Sequence, residues 1–128
     1  MCTAATYSNG GFYFGRNLDY EFSYGESVTV TPREFAFDLR HLPKQSAHFA
    51  FIGMAHVRDG YPLYYDAMNE KGLCVAGLNF VGNARYFTAR EGKVNVAQFE
   101  LIPWLMSSFE SVSQVRAAAE QLNITDEP

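Results

Sequence analysis

Turn signals constrain this chain most: they cut its first two-thirds into short β-prone runs before any helical period begins. Cys2–Tyr7 and Phe12–Asn17 are β-prone, and Ser8-Asn9-Gly10-Gly11 between them offers the Asn and Gly that accept the left-handed backbone of a tight hairpin. Ser27–Thr31 alternates Val and Thr and stops at Pro32, which has no N–H for a sheet ladder. Phe49–Val57 is a longer apolar run. Leu63–Met68 and Gly72–Leu78 flank the turn residues Asn69-Glu70-Lys71-Gly72, and residues 82–95 read as a long exposed loop. The period then changes. Pro103 suits the first turn of a helix carrying Trp104, Leu105 and Met106. Ser111 and Gln114 form a capping-box pattern ahead of Val112, Val115, Ala119 and Leu122 at helical spacing. Strands followed by helices, without regular alternation, predict an α+β layered fold. A length of 128 residues, 48% of them apolar, supports one core, so residues 1–128 are read as a single domain.

Charge and composition exclude several function classes. The net charge is -4 and the basic residues are scattered, so no phosphate-binding surface forms and nucleic acid is not an expected partner. No apolar run approaches the roughly 20 residues that cross a bilayer, so no membrane partner is expected. The start, MCTAATYSNGG, lacks the basic and apolar blocks of a secretory signal, which places the expected location in the cytoplasm. Of the two cysteines, Cys74 sits in the apolar run Leu73–Val75 and reads as a small core residue. His41, His48 and His56 lack partners at metal-ligand spacing, and no phosphate-loop or dinucleotide glycine pattern occurs; no metal or organic cofactor is expected.

Cys2 is different because of where it stands. Aminopeptidases remove Met1 when the next side chain is small, leaving one residue with both a thiol and a free α-amine. Their reference pKa values, about 8.5 and about 7.7–8.0, lie close together, and such an amine can serve as base for the thiol beside it. If Asn9-Gly10 is the hairpin turn, Asn17 falls opposite Cys2 and Arg16 opposite Thr3; if Gly10-Gly11 is, Asp19 falls opposite Cys2. Either register brings residues 16–19 beside the new N-terminus. A guanidinium there favours thiolate, and a carboxylate can hold the amine toward the sulfur. The plainer role for Arg16 and Asp19 is an ion pair with each other.

Met1-Cys2-Thr3, Phe14-Gly15-Arg16-Asn17-Leu18-Asp19 and Phe22-Ser23-Tyr24-Gly25-Glu26 resemble the start of the choloylglycine hydrolases, the bile salt hydrolases and their penicillin V acylase relatives. The resemblance runs on through Val30-Thr31-Pro32-Arg33, Tyr64-Tyr65-Asp66, Asn69-Glu70-Lys71-Gly72-Leu73, Ala76-Gly77-Leu78-Asn79-Phe80 and Ile102-Pro103-Trp104. It implies an N-terminal nucleophile hydrolase fold, an αββα sandwich, here as an incomplete N-terminal part. It also implies cleavage of an amide by thiolate attack through a thioester. By position, Cys2 resembles the nucleophile and base, Arg16 and Asp19 the pair that tunes it, and Asn79 an oxyanion-stabilising side chain. Leu18, Phe22 and Tyr61 lie in segments that resemble the substrate-pocket loops.

An Asn at position 79, where penicillin-cleaving members more often carry Tyr, leans the expected substrate toward glycine- or taurine-conjugated bile salts. The alternatives are a penicillin V acylase, an acyl-homoserine lactone hydrolase or, from another class, a non-catalytic truncated remnant that persists as an oligomer. Family members are more than twice this length, and a further catalytic Asn and Arg belong to the part not present. Little activity is therefore expected of these residues alone. A homo-oligomer, by resemblance a tetramer, is expected.

Overall fold

A computed structural model of the chain describes residues 2–128. Strands β1 (Thr3–Ser8) and β2 (Phe12–Asn17) form an antiparallel hairpin. Strands β3 (Ser27–Thr31), β4 (Phe51–Arg58), β5 (Tyr61–Tyr64), β6 (Asp66–Asn69) and β7 (Cys74–Ala76) form a five-stranded sheet of order β3-β4-β6-β7, with β5 also on β4. Strand β8 (Val94–Ala97), helices α1 (Leu101–Ser108) and α2 (Val112–Ala119) and strand β9 (Leu122–Thr125) follow, β8 and β9 pairing in parallel around the helices. The α+β reading holds.

The hairpin adopts neither expected register. Thr3 faces Asn17 and Ser8 faces Phe12, so the loop is the three residues Asn9-Gly10-Gly11 and the pairing lies midway between the two alternatives. Gly10, at φ 64°, supplies the left-handed residue such a loop requires. Two further expectations are corrected. The run Leu63–Met68 is not one strand: it bends at Tyr65, with β5 and β6 on either side pairing with different halves of β4. Leu122 does not extend α2; its backbone joins β9 opposite Val94, a ladder partner no local pattern reveals. Residues 82–95 are mostly exposed loop, but Val94 and Asn95 already belong to β8.

The core lies between one face of the sheet and α1. Phe51 and Ala55 from β4, Tyr64 from β5 and Ala67 from β6 point to that face and meet Leu105 and Met106 of α1, with Phe37 from the preceding loop. Pro103 occupies the third position of α1, where its missing N–H removes no helical bond. Ser111 caps α2 by accepting from Gln114 N–H at 3.4 Å, while the Gln114 amide oxygen accepts from Glu110 N–H. Cys74 is half-buried rather than in the core, and it lines a small cavity with Leu73, Leu105 and Met106. The opposite sheet face presents Val28 (67% exposed) and Val30 (63%) together with Ile52 and Met68.

Asn69 fastens the sheet to the helix. Its buried side chain accepts from Lys71 N–H (3.1 Å) and Leu73 N–H (3.0 Å), and donates to the carbonyls of Met106 (2.9 Å) and Phe109 (2.7 Å). It thereby satisfies a carbonyl at the end of α1 that has no helical donor. Asn69→Ala leaves all four groups without this partner and is expected to lower stability by about 3 kcal/mol. Urea unfolding measures it; a loss below about 1 kcal/mol would mean water replaces the amide.

Candidate active site

The open end of the hairpin sets the position of Cys2. Thr3 N–H donates to Asn17 Oδ1 at 2.8 Å, which closes the mouth of the hairpin and places Cys2 beside the chain that leaves β2. The three residues expected to act with Cys2 all meet at its sulfur. The backbone N–H of Asp19, just beyond β2, donates to the sulfur and is the strongest influence lowering its pKa. Partial burial opposes it, and the backbone N–H of Asn79 and the hydrogen bond and charge of the Arg16 guanidinium add to it. The net result is a thiol below its ordinary range, which favours the thiolate.

Arg16 reaches this place from β2 with its side chain only 6% exposed. Nη1 donates to the Tyr65 carbonyl and to Asp66 Oδ2, both at 3.2 Å, and Nη2 donates to the Gly77 carbonyl at 3.1 Å. Among the described residues its ion pair is with Asp66, where the plainer reading expected Asp19. Sequence reasoning missed Asp66 as a participant. Its signal was the Tyr64-Tyr65-Asp66 motif, but the contact spans 50 residues of sequence and no local pattern shows it.

The remaining candidates divide between two places. Leu18 lines a cavity of about 400 Å³ with Arg16 and Asp66, between the hairpin and the sheet face carrying Val28 and Ile52. Phe22, 61% exposed, packs on Tyr24; Tyr24 meets Tyr20, and Tyr20 meets Tyr65. Tyr61 stands elsewhere. It packs on Phe37 and Phe99 and lines a separate cavity of about 510 Å³ with Arg40, Arg58 and Glu100, so the structure does not bring it to Cys2. Asn79 offers its backbone N–H to the sulfur while the residue itself is exposed. Removal of Met1 lies outside the described residues.

The second cysteine is an internal control, since burial pushes the Cys74 thiol up. Alkylation by iodoacetamide, followed against pH by peptide mass, is expected to modify Cys2 at lower pH and faster than Cys74. Equal profiles would mean that the donors around Cys2 do not activate it.

Residues 2–128 match the family described as linear amide C–N hydrolases, choloylglycine hydrolase family. The chain is 52% identical over 126 residues to a bile salt hydrolase/transferase of Lactiplantibacillus plantarum, covering 98% of this chain and 39% of that protein. It is 41% identical over 130 residues to a conjugated bile acid hydrolase of Lactobacillus gasseri, covering 99% and 41% respectively. Its structure superposes on the C2A variant of the conjugated bile acid hydrolase from Clostridium perfringens with TM-score 0.91 and 36% identity, over 100% of this chain and 40% of that one. The chain thus spans about two-fifths of the length of the relatives it matches, and over that span it has the expected N-terminal nucleophile hydrolase fold. On sequence and structure together, the chain belongs to the choloylglycine hydrolase family.

Proposed function

We propose that the protein carrying this chain hydrolyses the amide bond of glycine- or taurine-conjugated bile salts, with Cys2 as nucleophile. The observation that carries this reading is the convergence of two backbone N–H groups and a buried guanidinium on one sulfur. The chemistry follows from those groups. With Met1 removed, the α-amine of Cys2 takes the thiol proton and the Asp19 carboxylate holds that amine in place. The thiolate attacks the amide carbon, forming a C–S bond and an oxyanion that the Asn79 side chain stabilises by donating to it. Collapse breaks the C–N bond; the amine gives its proton to the leaving nitrogen, and glycine or taurine departs. Water then attacks the thioester, returning the thiol and releasing the steroid acid.

An apolar acyl group suits the surroundings. Leu78, Phe80 and Val81 flank Asn79 with their side chains exposed, and the Phe22–Tyr24–Tyr20 run offers further apolar surface beside Tyr65. Phe22 is assigned to this surface through its contact with Tyr24, and Leu18 to the neighbouring cavity that it lines with Arg16, whereas Tyr61 would contact substrate only through its own cavity. Relatives named for conjugated bile acids or bile salts support the substrate class over penicillin V or acyl-homoserine lactones. Tetrameric assembly and a cytoplasmic location belong to the same proposal.

Release of glycine or taurine from glycocholate and taurocholate tests it, with penicillin V as the competing substrate. The protein is expected to prefer the bile salts, and Cys2→Ala to reduce release by at least about 10³-fold. Preference for penicillin V, or release that survives Cys2→Ala, overturns the reading. Residues 1–128 alone are expected to show little turnover.

A further inference from the structure

Asp66 stands at a break in the sheet that the hydrolytic chemistry described above does not use. Strands β5 and β6 would be one run but for the bend at Tyr65. Tyr65 N–H still bonds Met54 O at 2.8 Å, while its own carbonyl leaves the β4 ladder and accepts from Gly77 N–H (2.8 Å) and Arg16 Nη1. Directly after the bend, β4 and β6 press together. A Cβ on Gly53 would sit 1.9 Å from the Asp66 carbonyl oxygen, so only glycine allows this approach. The backbone of Asp66 is thereby fixed, and its side chain is held at both oxygens. Oδ1 accepts from Met54 N–H at 3.0 Å and Oδ2 from Arg16 at 3.2 Å, with the carboxylate 13% exposed.

Arg16 has five N–H donors. Three are taken by Tyr65 O, Asp66 Oδ2 and Gly77 O, and Nε has no partner among the described residues. One Nη2 hydrogen remains for the Cys2 sulfur. Two carbonyls can aim a guanidinium, but they cannot balance its charge out of water; Asp66 does both.

We infer that Asp66 is a positioning residue, which holds the Arg16 guanidinium against the Cys2 sulfur through the break between β5 and β6. The inference rests on the reading of Cys2 as nucleophile. Position and charge act in opposite directions here. If Asp66 served only as a counter-ion, removing its charge would strengthen the pull of Arg16 on the thiolate. If it positions Arg16, removing or displacing the carboxylate lets the guanidinium leave the sulfur, and the thiol reverts toward an ordinary one.

The test is the pH profile of iodoacetamide alkylation at Cys2, read by peptide mass in the purified protein, for Asp66→Asn and Asp66→Glu. Both variants are expected to move the midpoint up by about one pH unit. The first lacks the charge; the second keeps it but displaces it by a methylene. In an Arg16→Lys background, Asp66→Asn is expected to add no further shift. An unchanged midpoint overturns the inference, as does a midpoint that moves down. Failure of both variants to fold also overturns it, since Asp66 would then serve only the architecture. The readout needs no substrate. Full-length wild-type protein carrying this chain that releases no glycine or taurine, while Asp66→Asn shifts the profile, would sink the hydrolase proposal and leave this inference standing; turnover with an unmoved profile would do the reverse.

Discussion

A buried guanidinium joins the two parts of this structure on which a site at Cys2 depends. A two-stranded hairpin is marginal by itself in water, and this one exposes Tyr7, Phe12 and Tyr13. Arg16 ties it to the five-stranded sheet through the carbonyls of Tyr65 and Gly77 and the carboxylate of Asp66. A cation taken out of water is tolerated only where its donors and charge are matched. The matching groups exist because the sheet is imperfect there: the bend at Tyr65 releases a carbonyl, and Gly53 lets β6 approach closely enough to fix Asp66.

The same joint decides where reactivity can arise. Cys2 lies at the mouth of the hairpin, so whatever anchors the hairpin also carries charge to the sulfur. The N–H groups of Asp19 and Asn79 complete the surroundings from two segments separated by most of the sheet. Cys74 shows what the fold does to a thiol without such donors: burial alone pushes it up. The two cysteines differ in their neighbours, not in their side chains.

Much of the architecture was legible from short-range chemistry. Five of the strands, the helix around Trp104 and the helix capped by Ser111 follow from alternation, turn residues and caps acting over a few positions. Three differences from the local pattern have one cause. The break at Tyr65, the place of Leu122 in β9 and the three-residue hairpin loop are each set by a partner strand or a close approach that lies outside the local window. Cys74 is half-buried although its neighbours Leu73 and Val75 are apolar and pack on the core.

The sequence by itself determined the class of fold, the special position of Cys2 and, through its ordered motifs, the family resemblance and most of the candidate residues. Those features are local: a residue's type, its neighbours and its place behind Met1 carry them. The tertiary structure alone decided that Arg16 pairs with Asp66, that Asp19 and Asn79 present backbone N–H groups to the sulfur, and that Tyr61 faces a separate cavity. These are contacts across tens of residues. They depend on strand register and on the approach of one backbone to another, which side-chain identity along a single segment does not encode.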